Sequence, residues 1–160
     1  MPRRSLRTRQ QSAVYLPPAL VLDCSVAVAW YLEGEGTDFT DSLLHAIPKL
    51  EIWVPALWML EFSNALFAAE RRRRISAAER AQIVEQASQP SLNVDPHVMS
   101  LRQADEMSWQ HNLTPYDAAY FELARRRKLP LATLDVALVK AARAAKLPLI
   151  TDLSVFPERS

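Results

Sequence analysis

Short apolar runs alternate with helix-patterned segments along most of this chain, and no other feature of the sequence constrains its fold as strongly. The runs have the length of buried strands, and they cover residues 19–22, 51–54, 92–94, 131–133 and 149–151. Helices are predicted between them, over residues 25–33, 37–47, 56–74, 76–88, 97–112, 114–128 and 136–145. Alternation of this kind predicts an α/β fold, with a parallel sheet covered by helices on both faces.

The first 18 residues differ from the rest because they carry four arginines and no acidic residue. We expect residues 1–18 to be a flexible basic leader and residues 19–160 to form a single domain. Asp23 interrupts the apolar run that follows this leader, which argues against a secretory signal. The single cysteine, Cys24, permits no intramolecular disulfide. Together these features favour a cytoplasmic protein with no membrane segment.

Glycine is scarce, since only Gly34 and Gly36 occur in 160 residues. That scarcity excludes a P-loop, a dinucleotide-binding fingerprint and a nucleophile elbow, because each needs several glycines at fixed spacing. The formal net charge is +1, so charge alone identifies no nucleic-acid binder.

Acidic residues stand where a parallel sheet binds its ligands. Asp23 follows the first predicted strand, Asp135 lies just beyond the fourth, and Asp152 follows the last. Ligands of open α/β sheets bind outside the carboxyl ends of the strands. These acids are therefore candidates for a functional site.

Two further acids lie within predicted helices. Asp117 falls in the first turn of its helix, and Glu61 shares a helix face with Leu57 and Leu60, which predicts that Glu61 points inward. An unpaired buried charge is costly, and no basic residue is well placed in the sequence to balance these acids. If the carboxylates converge, Mg²⁺ is a suitable counter-charge, because it prefers oxygen ligands and supports phosphodiester hydrolysis.

Ordinary structural roles would also explain most of these acids. Asp23 and Asp135 occupy positions that can cap helices, and the segment 114–117 fits a capping box around Asp117. Asp152 suits a turn at the end of a strand. Glu61 is the hardest to explain in this way, and spacing alone leaves both interpretations open.

Four segments together resemble a known family. They are VLDCS at 21–25, EFSNAL at 61–66, YDAAYFELA at 116–124 and LATLD at 131–135. In this order and at these distances they resemble the PIN domain, most closely the VapC-type toxins of toxin–antitoxin pairs. The resemblance covers roughly residues 19–157, and it implies a three-layer α/β/α sandwich with a short parallel sheet.

The same resemblance implies a metal-dependent endoribonuclease that uses Mg²⁺ or Mn²⁺. The residues that match the family's acidic, metal-binding positions are Asp23, Glu61, Asp117 and Asp135. The residues that match its supporting polar positions are Ser25, Asn64 and Thr133. Such groups orient metal ligands through hydrogen bonds.

The resemblance further implies RNA as the substrate, a cognate antitoxin as the protein partner, and a homodimer. Whether Asp117 or Asp135 accepts the proton of the attacking water stays open. The basic leader departs from the family pattern.

Three other functions compete with this one. A phosphatase with Asp23 as covalent nucleophile would need a second acid at the position of Ser25. A non-catalytic PIN-fold interaction module and a housekeeping RNA-processing nuclease would both retain the fold. The arginine-rich runs 71–74 and 125–128 are interpreted either as solvated helix ends, which the helix dipole favours, or as phosphate contacts.

Overall fold

A computed structural model of the protein describes residues 19–150, which form five strands and seven α-helices. The strands are β1 (Ala19–Leu22), β2 (Glu51–Pro55), β3 (Leu92–Asp95), β4 (Leu131–Ala132) and β5 (Leu149–Ile150). Each coincides with a predicted strand to within a residue in the described part of the chain. The predicted leader and Asp152 lie outside the described residues.

All strand pairs are parallel, and the order across the sheet is β3-β2-β1-β4-β5. The chain runs from β1 outward to β3 and then returns to the other side of β1 for β4 and β5. The order therefore reverses between β1 and β4, and in open α/β sheets this is the place where ligands bind. The prediction of a parallel α/β fold is confirmed.

The helices cover both faces of this sheet. They are α1 (Cys24–Tyr31), α2 (Asp38–Ala46), α3 (Trp58–Arg71), α4 (Ala77–Ala87), α5 (Leu101–His111), α6 (Pro115–Arg127) and α7 (Val136–Ala144). Strand β1 is buried along its whole length, which explains why its sequence is uniformly apolar. Helix α6 packs against β1, β2 and β4 and supplies two of the largest fully buried side chains, Tyr120 and Phe121.

Helix α5 begins later than predicted. Its start is a capping box in which the Ser100 hydroxyl accepts from the backbone N–H of Gln103, and the Gln103 side chain accepts from that of Ser100. The backbone N–H of His97 donates instead to Asp95 at the end of β3, at 2.9 Å. The predicted start at residue 97 was wrong, because the cap outweighs the proline at position 96 as a start signal.

The inward face of α3 also differs from the prediction. Leu60 is 76% exposed, so its predicted inward orientation was wrong. The core-facing residues of the helix are Trp58, Phe62, Leu66 and Ala69. Their spacing of three or four defines one stripe, and Glu61 lies half-buried at its margin.

An ion-pair network around a buried acid joins the end of β3 to the end of α6. Asp95 is 1% exposed and accepts from Arg126 at 2.8 Å and from Arg127 at 2.6 Å. Burial alone would raise the pKa of Asp95, but hydrogen bonds from the two arginines lower it to about 2. Arg126 and Arg127 therefore serve as counter-charges for a buried acid rather than as a freely solvated helix end.

In contrast, the run 71–74 is exposed, and within the described residues only Arg74 of this run forms an ion pair, with Glu35. Within residues 19–150, no helix has the length and apolar character needed to cross a membrane.

Candidate active site

Asp23 lies between β1 and α1, at the centre of the carboxyl edge of the sheet. Its side chain is largely buried, with the residue 5% exposed. Its Oδ2 atom accepts hydrogen bonds from the hydroxyls of Ser25 at 2.5 Å and Thr133 at 2.7 Å. Although Asp23 occupies the N-cap position of α1, its side chain makes no capping hydrogen bond. The capping interpretation of Asp23 was therefore wrong.

The loop after β4 is hydrogen-bonded to the same two hydroxyls that hold Asp23. The Thr133 hydroxyl accepts from the backbone N–H of Asp135 at 2.9 Å, and the Ser25 hydroxyl accepts from that of Leu134 at 3.1 Å. Asp135 caps α7, because its Oδ1 atom accepts from the backbone N–H of Leu138 at 2.8 Å. The capping interpretation of Asp135 is confirmed, and it leaves the Oδ2 atom for another role.

Asp117 is held at the first turn of α6. The Thr114 hydroxyl accepts from the backbone N–H of Asp117 at 3.1 Å and donates to its Oδ2 atom at 2.6 Å. A complete capping box would instead have the carboxylate accept from the backbone N–H of Thr114. The predicted capping box is therefore half formed.

Glu61 approaches this group from α3. Its Oε2 atom accepts a hydrogen bond from the hydroxyl of Tyr120, whose side chain is fully buried on α6. Sequence reasoning missed Tyr120 as a site residue. The available signal was its position three residues after Asp117, which places both side chains on one face of α6.

The four acids share one pattern of contacts in the described chain. Each has one carboxylate oxygen held by a protein donor, while the other oxygen accepts no hydrogen bond from residues 19–150. The donors are the hydroxyls of Ser25, Thr133, Thr114 and Tyr120 and the backbone N–H of Leu138. All of these donors are neutral, and none of the four acids takes part in an ion pair within the described residues.

The charges of the four acids affect one another. Burial raises the pKa of Asp23, the hydroxyls of Ser25 and Thr133 oppose this effect, and the charges of Asp117 and Asp135 raise the pKa further. Burial also raises the pKa of Glu61, with additions from Asp23 and Asp117 and opposition from the Tyr120 hydroxyl. The structure therefore brings Glu61, Asp117 and Asp135 within electrostatic reach of Asp23.

The chemistry of this group suits a hard divalent cation. In residues 19–150, no three acidic, histidine or cysteine side chains are close enough to form a ready-made ligand set. Mg²⁺ usually keeps several waters and needs only one or two carboxylates. The carboxylates of the four acids are already oriented by hydrogen bonds and have no basic partner in the described chain, so their oxygens meet that requirement.

Comparison with known proteins identifies the family of this chain. Residues 20–144 match the family model for the PIN domain. This chain belongs to the PIN-domain family. The expected resemblance is thereby confirmed over most of the described residues.

Two proteins illustrate how this PIN domain relates to others. The chain is 28% identical over 118 residues to Ribonuclease VapC3 from Pyrobaculum aerophilum, an alignment that covers 72% of this chain and 88% of the relative. Its fold is similar to the crystal structure of PAE2754 from Pyrobaculum aerophilum, with a TM-score of 0.61 and 21% identity. That similarity covers 77% of this chain and 84% of the other, and it supports the three-layer sandwich.

Asn64 differs from the other two predicted supporting residues of this PIN domain. It is exposed and makes no hydrogen bond to the acids in the described chain. It lines a cleft of about 520 Å³ beside Ser25, Glu61 and Leu134. The structure therefore places Ser25 and Thr133 directly on Asp23, but places Asn64 on the wall of the neighbouring cleft.

Proposed function

We propose that this PIN-domain protein is a metal-dependent endoribonuclease whose metal-binding and catalytic acids are Asp23, Glu61, Asp117 and Asp135. The observation that carries the proposal is the shared pattern of contacts, in which neutral donors hold one oxygen of each carboxylate and leave the other without a donor from the described chain. An acid that is fully buried for structural stability alone is usually paired with a cation. Asp95 in the same molecule is paired in that way, with Arg126 and Arg127.

The residues of the chain perform three tasks in this proposal. Ser25 and Thr133 orient Asp23, and Thr114 orients Asp117, so their unrestrained oxygens are available to Mg²⁺ or Mn²⁺. When bound, the cation would supply positive charge that stabilises a phosphoryl group under attack by water. Asp117 or Asp135 would accept the proton of that water, because each is near the centre and only partly engaged.

The family supports a proposal for the substrate and the biological setting. A relative named a ribonuclease supports RNA as the substrate. Its VapC-type name supports a toxin of a type II toxin–antitoxin pair, held by a cognate antitoxin in the cytoplasm, and a homodimer fits this setting. A housekeeping RNA-processing nuclease would use the same site. Expression of the chain alone, and together with any small gene that adjoins its own, distinguishes them, because only a toxin arrests growth and is rescued by its antitoxin.

Cleavage of RNA by the purified protein tests the catalytic proposal. The wild type should cut RNA when Mn²⁺ is added and should leave 5′-phosphate and 3′-hydroxyl ends. Asp23→Asn should lose nearly all of this activity, because it removes a charge at the centre of the site. Asp105→Asn is a matched control, since Asp105 is exposed on α5 and takes part in no ion pair in the described chain.

Two results would contradict the proposal. If folded wild type cut no RNA and gained no thermal stability from Mn²⁺, a non-catalytic PIN-fold module would be the better description. If a phospho-aspartate could be trapped on Asp23, a phosphatase would replace the nuclease. The phosphatase is disfavoured because the residue two positions after Asp23 is Ser25, which donates a hydrogen bond rather than a proton for a leaving group.

A further inference from the structure

Tyr120 is a large, fully buried side chain that makes a hydrogen bond to one of the four acids. It is 0% exposed, and its ring lies in the hydrophobic core beneath α6. Its hydroxyl donates to the Oε2 atom of Glu61, 59 residues earlier in the sequence. This contact links α3 to α6 across the end of the sheet.

Packing of the hydrophobic core does not by itself require this hydrogen bond. A phenylalanine would fill the same space, and a buried tyrosine hydroxyl can be satisfied by a backbone carbonyl. Here the hydroxyl instead reaches a half-buried carboxylate that also lines the cleft beside Asn64. Glu61 has no other hydrogen-bond donor and no basic partner in residues 19–150.

The neutrality of the phenol matters as much as its position. An arginine or lysine at the same place would hold Glu61 equally well, but it would neutralise the carboxylate and repel a cation. A phenol donates one hydrogen bond without adding charge. Ser25, Thr133 and Thr114 act in the same way on the other acids, whereas the structural acid Asp95 is held by two arginines.

We infer that Tyr120 is the positioning residue of Glu61: its hydroxyl holds Oε2 and thereby presents Oε1 to the divalent cation. This inference rests on the proposed nuclease function. Nothing in it requires Tyr120 to touch the metal or the RNA. Tyr120 acts only through Glu61, so its effect must vanish when Glu61 can no longer bind a cation.

The first test is Tyr120→Phe, which keeps the buried ring and removes only the hydroxyl. Loss of a group that orients a metal ligand typically weakens metal binding or activity by 10- to 100-fold, and because Glu61 is one of four acids we expect about a tenfold weaker Mn²⁺ affinity. Calorimetric titration of Mn²⁺ measures this directly, without any assay of cleavage. Tyr31→Phe is the matched control, because Tyr31 contacts Phe62 of α3 but makes no hydrogen bond to the four acids.

The second test repeats Tyr120→Phe in a Glu61→Gln background. If Tyr120 works through Glu61, the double variant should bind Mn²⁺ as weakly as Glu61→Gln alone. Equal losses from Tyr120→Phe in both backgrounds would overturn the inference, because they would indicate a general effect on packing. Wild-type affinity in Tyr120→Phe would overturn it as well.

A measurement on the wild type removes any dependence on the folding of variants. The ring carbon that bears the hydroxyl can be labelled with ¹³C in all four tyrosines and followed by NMR during titration with Mg²⁺. The Tyr120 signal should shift and the Tyr31 signal should not. A Tyr120 signal unchanged at saturating Mg²⁺ would overturn the inference.

The outcomes separate this inference from the proposed function. Wild type that binds Mn²⁺ and cuts RNA, with Tyr120→Phe unchanged in both, would overturn the role of Tyr120 and leave the nuclease intact. Wild type that binds no divalent cation would overturn the proposed nuclease, and the role of Tyr120 along with it.

Discussion

The ion pairs of Asp95 allow a prediction whose size can be worked out from the structure. The pKa of Asp95 is about 2 in the folded protein, against an ordinary value of 3.8. At roughly 1.4 kcal/mol for each tenfold change in proton affinity, this carboxylate stabilises the fold by about 2 kcal/mol at neutral pH. The Arg127 guanidinium also lies 3.4 Å from the centroid of the Trp53 ring, which helps to keep it in place.

Asp95→Asn should remove this stabilisation. We expect the free energy of unfolding at pH 7 to fall by about 2–3 kcal/mol, since the amide keeps the shape but not the charge. For a domain of this size the melting temperature should fall by roughly 5–10 °C. Mn²⁺ affinity should stay unchanged, because Asp95 interacts with arginines of α6 rather than with the four acids.

The pH dependence gives the sharper test. Because folding lowers the pKa of Asp95, its stabilisation is complete well above the ordinary pKa and is lost as the pH falls from about 4 to about 2. The difference in unfolding free energy between wild type and Asp95→Asn should therefore shrink over that window. Taking the difference between the two proteins cancels the contributions of Asp23 and Glu61, whose pKa values are shifted upward.

Urea denaturation of both proteins between pH 7 and pH 2.5 measures this difference, with Asp105→Asn as the control for loss of an exposed acid. A difference that stays constant across the window would refute the reasoning, as would an Asp95→Asn variant within about 0.5 kcal/mol of wild type at pH 7. A constant difference would mean that the stabilisation does not depend on the charge of Asp95, and a small difference would mean that the two arginines gain as much from water as from Asp95.

Three further predictions concern the acidic centre and the exposed arginines. Asp23→Asn should raise the melting temperature of the metal-free protein, because burial and the neighbouring acids disfavour the charge of Asp23. It should also abolish the increase in melting temperature that Mn²⁺ causes in the wild type. Calorimetric scans with and without Mn²⁺ measure both effects. Thr133→Val should cost about 1–2 kcal/mol in urea unfolding and weaken Mn²⁺ binding, because the hydroxyl serves both Asp23 and the Asp135 backbone; stability equal to wild type would contradict this. Changing residues 71–73 to glutamine should weaken RNA binding and flatten its salt dependence, whereas unchanged affinity in filter binding would leave them as a solvated helix end.

The outcome for Leu60 and Glu61 shows where sequence reasoning reaches its limit. Helical spacing correctly placed α3, but several stripes of that helix contain apolar residues. Only the neighbours of α3 decide which stripe faces the core, and they select Phe62 and Leu66. Glu61 therefore lies at the margin of the core, where it is accessible to a cation as well as to Tyr120.

The role of the arginines at the end of α6 likewise depends on tertiary contacts. In sequence, Arg126 and Arg127 look like an ordinary charged helix end, and nothing links them to an aspartate about 30 residues earlier. The fold places the end of β3 beside the end of α6, and the buried Asp95 then determines what the arginines do. The same carboxylate also accepts from the backbone N–H of His97, which lies before the start of α5.

The sequence by itself determined the parallel α/β fold and the strand positions, because these depend on local periodicity along the chain. The four candidate acids came from the resemblance of their sequence segments to the PIN domain, since spacing alone left their roles open. Only the tertiary structure decided how each acid is held. Hydrogen bonds such as Tyr120 to Glu61 and Thr133 to Asp23 join residues 59 and 110 positions apart. Contacts of this kind exist because packing brings distant segments together, so no local pattern encodes them.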